Sequence, residues 1–91
     1  EDPFARYSLA MGFRAAGRPE EAAREFAELS RRAPQYVPTY LMMGQVLEAL
    51  GRTDDAALAY EQGMAAARSA GNGHALSELG QALEALRSPK T

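Results

Sequence analysis

The hexapeptide Gly17-Arg18-Pro19-Glu20-Glu21-Ala22 returns as Gly51-Arg52-Thr53-Asp54-Asp55-Ala56, 34 residues further along a 91-residue chain. Glycine, arginine, two acids and alanine keep their order and spacing. Glycine reaches the left-handed backbone conformation that ends a helix, and acids in a first helical turn are favoured by the dipole, at about 0.3–1 kcal/mol each. The phrase therefore reads as a helix stop followed by a helix start. The rival reading, paired carboxylates doing acid–base work, finds no base, nucleophile or metal ligand beside either pair. The register extends well past the turn. Leu9-Ala10 falls on Met43-Gly44, Phe13 on Leu47, and Phe26 on Tyr60. Leu79-Gly80 and Leu83 begin a third, incomplete copy, offset by 36 residues instead of 34.

A repeat of this length built from helices needs a helix-forming composition, and the chain has one. Alanine leads, followed by Leu, Glu and Arg, while the β-branched residues are only Val37, Val46, Thr39, Thr53 and Thr91. The class is all-α. Helix boundaries follow from the punctuation. Asp2 caps the first helix with Pro3 at its first position, and Gly17 stops it. Pro19 opens the second, which closes at Ala33-Pro34. Val37-Pro38 opens the third, ending at Gly51. Thr53 caps the fourth, which runs to about Ser69, and Gly71-Asn72-Gly73 breaks the chain before a fifth helix that Ser88-Pro89 ends. The inner stripes are expected to be Phe4, Leu9, Phe13 and Ala16; Ala22, Phe26 and Leu29; Tyr40, Met43, Leu47 and Leu50; Tyr60 and Met64; and Leu76, Leu79, Leu83 and Leu86. Loops this short make neighbouring helices antiparallel.

With 46% hydrophobic and 24% charged residues, the chain is long enough for one modest core and short of a deep enclosed site. A net charge of −2 gives no basic footprint for nucleic acid. No apolar run approaches the roughly 20 residues that span a bilayer and no signal-peptide pattern opens the sequence, so no membrane contact and a cytoplasmic location are expected. Without cysteine there is neither disulfide nor thiolate ligand. His74, the single histidine, reads as an exposed first-turn residue; Ser77 and Glu78 follow at local helical spacing, too weak a signal for a catalytic set. No catalytic residue, cofactor or metal is expected.

The 34-residue period, the Leu-small pair, the large apolar residue, the glycine turn, the small alanine, the aromatic and the closing Pro34 together resemble the tetratricopeptide repeat. The resemblance spans about residues 3–88. It implies a single domain over 1–91 forming a right-handed superhelical stack of antiparallel helix pairs. Repeat one would cover about 3–36, repeat two about 37–70, and a capping helix about 74–88. Two positions depart from the family pattern. Arg6 stands where a large aromatic is usual, which points to the first helix as an exposed edge. Arg68 replaces the second closing proline, which lengthens the fourth helix. Small bacterial proteins made of little more than two such repeats and a cap show the same plan, and nine arginines against Lys90 alone fit a GC-rich bacterial genome.

Proteins of this kind bind segments of other proteins on the concave face made by the first helix of each pair. Carried over by position, that face holds Tyr7, Ser8, Met11 and Arg14, then Leu41, Met42, Gln45 and Glu48, then Ser77, Glu78 and Gln81. Tyr7, Met11 and Arg14 share one helix face, as do Leu41, Gln45 and Glu48. Methionine and aromatic side chains there suit adaptable apolar binding of a protein or peptide; the bland alternative is that Leu41 and Met42 pack inward. Family members that hold a C-terminal carboxylate use paired Lys and Asn, whereas Tyr7, Met11, Leu41 and Gln45 occupy those places here. The runner-up function is homodimerisation through the same apolar surface or an exposed first helix.

Overall fold

A computed structural model describes residues 2–88 and contains five helices: α1 (Pro3–Ala15), α2 (Pro19–Arg32), α3 (Pro38–Ala49), α4 (Thr53–Ala70) and α5 (Gly73–Arg87). No strand occurs among the described residues, and the fold is an all-α helical repeat. Each helix packs on its chain neighbour, and α5 also touches α3. The Cα envelope measures 41 × 32 × 17 Å, its short edge being about two helix layers.

The repeated phrase is two helix ends back to back, as its glycines require. Gly17, Gly51 and Gly71 take φ of 74°, 75° and 67° and end α1, α3 and α4. In both phrases arginine is the N-cap residue, and it pairs with the acid three residues on: Arg18 with Glu21 at 2.5 Å and Arg52 with Asp55 at 3.1 Å. The acids thus meet the helix dipole and an arginine together. Thr53 is not a cap. It is the first helical residue, and Arg52, in the cap place, makes no side-chain cap bond. Asp2 does cap, its Oδ1 accepting from Phe4 N at 3.0 Å. Asn72, read from sequence only as a member of the breaker, caps α5 by accepting from Ala75 N at 3.0 Å. Helix α4 has 18 residues against 14 in α2, the lengthening expected from Arg68. Pro89 lies outside the described residues.

Most of the expected stripes form the core. Ala22, Phe26 and Tyr60 are 0% exposed, Leu29 and Leu79 1%, and Tyr40, Met43, Leu47 and Leu83 between 4 and 8%. The first stripe does not fit. Phe4 and Leu9 are 59% and 49% exposed, and Phe13 is half-buried with the Arg18 guanidinium 5.3 Å over its ring. Met43, the counterpart of Leu9, is 6% exposed because α3 packs on α2 of the preceding pair as well as on α4. Among the described residues no helix covers α1 in that way. Arg6 turns to α2, where Nη1 meets Glu25 Oε1 at 2.8 Å.

The second pair is held by a close approach. A Cβ on Gly44 would stand 2.1 Å from Tyr60 Cε1, so the ring lies in the space a side chain would take. Gly63 does the same a layer further on, where a Cβ would stand 2.5 Å from Tyr40 Cβ and 2.9 Å from Leu79 Cδ2. The Tyr60 hydroxyl donates to Glu48 Oε2 at 2.5 Å, and Tyr40 donates to the Pro34 carbonyl at 2.7 Å, so neither buried ring leaves its polar end orphaned.

Two outcomes follow from this packing. Gly44→Ala should lower stability by about 1–2 kcal/mol, because overpacking exceeds the gain in helix propensity. Gly12→Ala, where nothing lies within 4 Å of the added Cβ, should raise it slightly, and thermal unfolding of both variants checks the contrast. Burial, then the Glu48 hydrogen bond, raises the Tyr60 phenol above its ordinary value of 10.0. The folded value exceeds the unfolded one, so this stabilisation is complete below pH 10 and is lost as pH rises beyond it. The unfolding temperature should fall on the alkaline side of pH 10, and less steeply in Tyr60→Phe.

Candidate functional site

Because α2 and α4 turn back behind them, α1, α3 and α5 come together on one side of the molecule. There they flank a half-open pocket of about 250 Å³. Tyr7 from α1, Pro38, Leu41 and Met42 from α3, and His74 and Glu78 from α5 form its sides. Tyr7 is fixed by ring packing at both edges: its centroid lies 6.0 Å from Phe26 and 5.8 Å from Tyr36, both at 65°. Burial, with the neighbouring Tyr36 next, raises its phenol above the ordinary value, while Arg14 acts in the opposite sense. Leu41 and Met42 are half-buried, intermediate between the core and open water.

A polar strip borders the apolar pocket. Arg14 spans from α1 to α3, donating from Nη2 to Gln45 Oε1 at 2.9 Å and from Nη1 to Met42 Sδ at 3.1 Å. On α5, His74 Nε2 stands 3.5 Å from Glu78 Oε1, with side chains 87% and 50% exposed. Gln81 donates to Ser77 Oγ at 3.2 Å one turn on.

The structure thus gathers Tyr7, Leu41, Met42 and Glu78 at one pocket and ties Arg14, Gln45 and Met42 by hydrogen bonds. Ser8 is exposed and Met11 half-buried, and neither lines the pocket. Glu48 points its carboxylate at Tyr60. Val37, Pro38, Asn72, His74, Ala75 and Leu79 also line the pocket without having been singled out from sequence as site residues. A signal for His74 existed: the 36-residue offset that puts Leu79 on Met43 puts His74 on Pro38. Its side chain is exposed as expected, yet its position on α5 makes it a piece of the pocket wall.

Two other hollows lie on the side of the second helices. One of about 320 Å³ runs between α2 and α4 past Leu58, and one of about 500 Å³ lies between Pro34-Gln35 and Ala65, Ala66 and Ala70 of α4. Neither reaches α1 or α5, so neither gathers the first helices. Among the described residues no group of three or more His, Asp or Glu is placed to hold a metal, and no helix is long and apolar enough to cross a membrane.

Comparison with known proteins agrees with this architecture. A solution NMR structure of a tetratricopeptide repeat domain protein from Salinibacter ruber superposes with a TM-score of 0.93 at 40% identity, covering 99% of this chain and 91% of that one. A crystal structure of a tetratricopeptide repeat domain protein from the same organism gives a TM-score of 0.91 at 40% identity, covering 96% and 98%. No curated protein matches the chain. The family model for the tetratricopeptide repeat matches residues 13–79, well over half the sequence. The chain belongs to the tetratricopeptide repeat family.

Proposed function

We propose that this protein is a non-catalytic interaction module that binds a segment of another protein on the concave face formed by α1, α3 and α5. Membership of the family supports a general role in protein–protein interaction. The observation that carries the finer reading is the pocket where Tyr7, Leu41 and Met42 converge from two helices against α5. A volume of about 250 Å³ falls below the range of about 300–1,000 Å³ usual for small-molecule sites and suits one large apolar side chain of a partner. The aromatic supplies rigid contact area, and the thioether adapts to the shape that enters. Residues 1–91 would act as one domain, with α5 closing the stack.

Affinity capture from a lysate of the source organism tests this reading. The double variant Tyr7→Ala, Met42→Ala should bind a captured partner about thirty- to several-hundredfold more weakly, since two apolar anchors are each worth about 1–2 kcal/mol. Its helical circular dichroism should persist. Met42→Ala alone, which leaves the Tyr7 ring packing intact, should show a fraction of the same loss. Unchanged binding in both variants would refute the reading.

A second reading, self-association, is favoured by α1. Its outward residues Phe4, Ala5, Ser8, Leu9, Gly12 and Ala15 are exposed and carry no charge. Arg6 and Arg14, the charged residues of α1, turn to α2 and α3 instead. A helix of 13 residues is about 20 Å long and covers less than the roughly 800 Å² per partner of a stable interface, so such a dimer would be weak. Sedimentation from micromolar to millimolar concentration should show the mass rising above 9.8 kDa, and Leu9→Glu should hold it there. A wild-type mass constant over that range would exclude the dimer.

A further inference from the structure

We propose that the pocket between α1, α3 and α5 selects a partner segment carrying a lysine or arginine close to its apolar anchor, with the cation seated on Glu78. This inference rests on the reading of that face as the partner-binding surface and adds the charge of the partner.

Arg14 and Glu48 keep opposite charges on this face while bonding to neutral partners, and Glu78 is the charged group that stands at the pocket itself. The walls contributed by Tyr7, Leu41 and Met42 are apolar apart from the phenol oxygen, so they set no sign. Among the described residues, Glu78 is the carboxylate that lines the pocket, and Arg14 is not part of its lining. The cation of this face lies outside the pocket, where two guanidinium nitrogens of Arg14 donate to Gln45 and Met42. Glu48 is engaged by the Tyr60 hydroxyl. Glu78 is in a different situation. Its contact with His74 is 3.5 Å long, and its side chain is 50% exposed, so its oxygens keep room for a donor from outside. A half-exposed carboxylate therefore stands beside an apolar hollow. An ammonium or guanidinium on a segment whose neighbouring side chain fills the hollow complements both features, and an acidic neighbour would face Glu78 unfavourably.

Panning a randomised dodecapeptide library over the immobilised full chain tests the inference. Recovered sequences should pair Leu, Met or Phe with Lys or Arg within about four residues, one turn of a helix or a short extended span. A selected peptide, resynthesised with acetylated and amidated ends, should bind about two- to fivefold more weakly to Glu78→Gln, the effect of one exposed charge pair. Glu78→Lys, a change at a half-exposed side chain, should recover acidic neighbours in place of basic ones. Selection of acidic neighbours by the wild type would overturn the charge inference, as would identical sequences from wild type and Glu78→Lys. Peptides that lose binding in Met42→Ala yet ignore Glu78 would overturn it while leaving the groove reading intact. Recovery of no peptide sensitive to Met42→Ala would overturn both.

Discussion

The structure depends on how closely α3 and α4 approach at Gly44. The Tyr60 ring occupies the place where any other residue would carry a Cβ, and it is fully buried there. Burying a tyrosine so deeply is favourable only if the hydroxyl finds a partner, and Glu48, one turn along from Gly44, supplies it. A steric fit and a polar bond thus fix the same pair of helices. One layer further, Gly63 admits Tyr40 from α3 and Leu79 from α5 at the same point of α4. The last helix is seated by that junction. The α3 and α5 sides of the pocket are set by these two close approaches, and Tyr7 on α1 is held against them by Phe26 and Tyr36.

The turns contribute a different kind of control. The left-handed glycines and the arginine–acid pairs are local devices, each completed within a few residues. They set where helices end and leave open what the helices touch. The connection after α4 breaks the pattern: α4 is longer, Gly71 ends it, and Asn72 at once caps α5. The shift of two residues is small in sequence. In space it brings His74 and Glu78 over the pocket beside Leu41 and Met42, and gives the face its acidic side.

Much of the fold was legible because the evidence for it is periodic. The five helices, the glycine stops and the large core residues Phe26, Leu29, Met43, Tyr60 and Leu79 follow from spacing and residue type, whereas Leu50, Met64, Leu76 and Leu86 of the expected stripes are only half-buried. Leu9 marks the limit of that reasoning. Its register is that of Met43, yet one is half exposed and the other buried, since burial is a property of two surfaces and only α3 has the second surface beside it. Thr53 and Asn72 show the same limit for caps. Residue type nominates Thr53, and backbone geometry instead makes a cap of Asn72, which the sequence marks only as part of a chain break. The candidate site was only partly legible. Tyr7, Leu41, Met42 and Glu78 were on the expected face and meet at the pocket. Glu48 shares that face by helical spacing, but the hydroxyl of a tyrosine 12 residues on draws its carboxylate aside.

The sequence by itself determined the all-α class, the 34-residue helical repeat, the turn chemistry and the set of side chains available to the face of the first helices. These depend on local propensity and on periodicity, which a single chain displays without its neighbours. The tertiary structure decided which apolar residues stay in water, which charges neutralise one another, and how Tyr7, Met42 and Glu78 come to share one pocket. Those outcomes depend on distances between residues far apart in the chain, and the repeat fixes such distances only after Tyr60 has closed on Gly44 and Leu79 on Gly63.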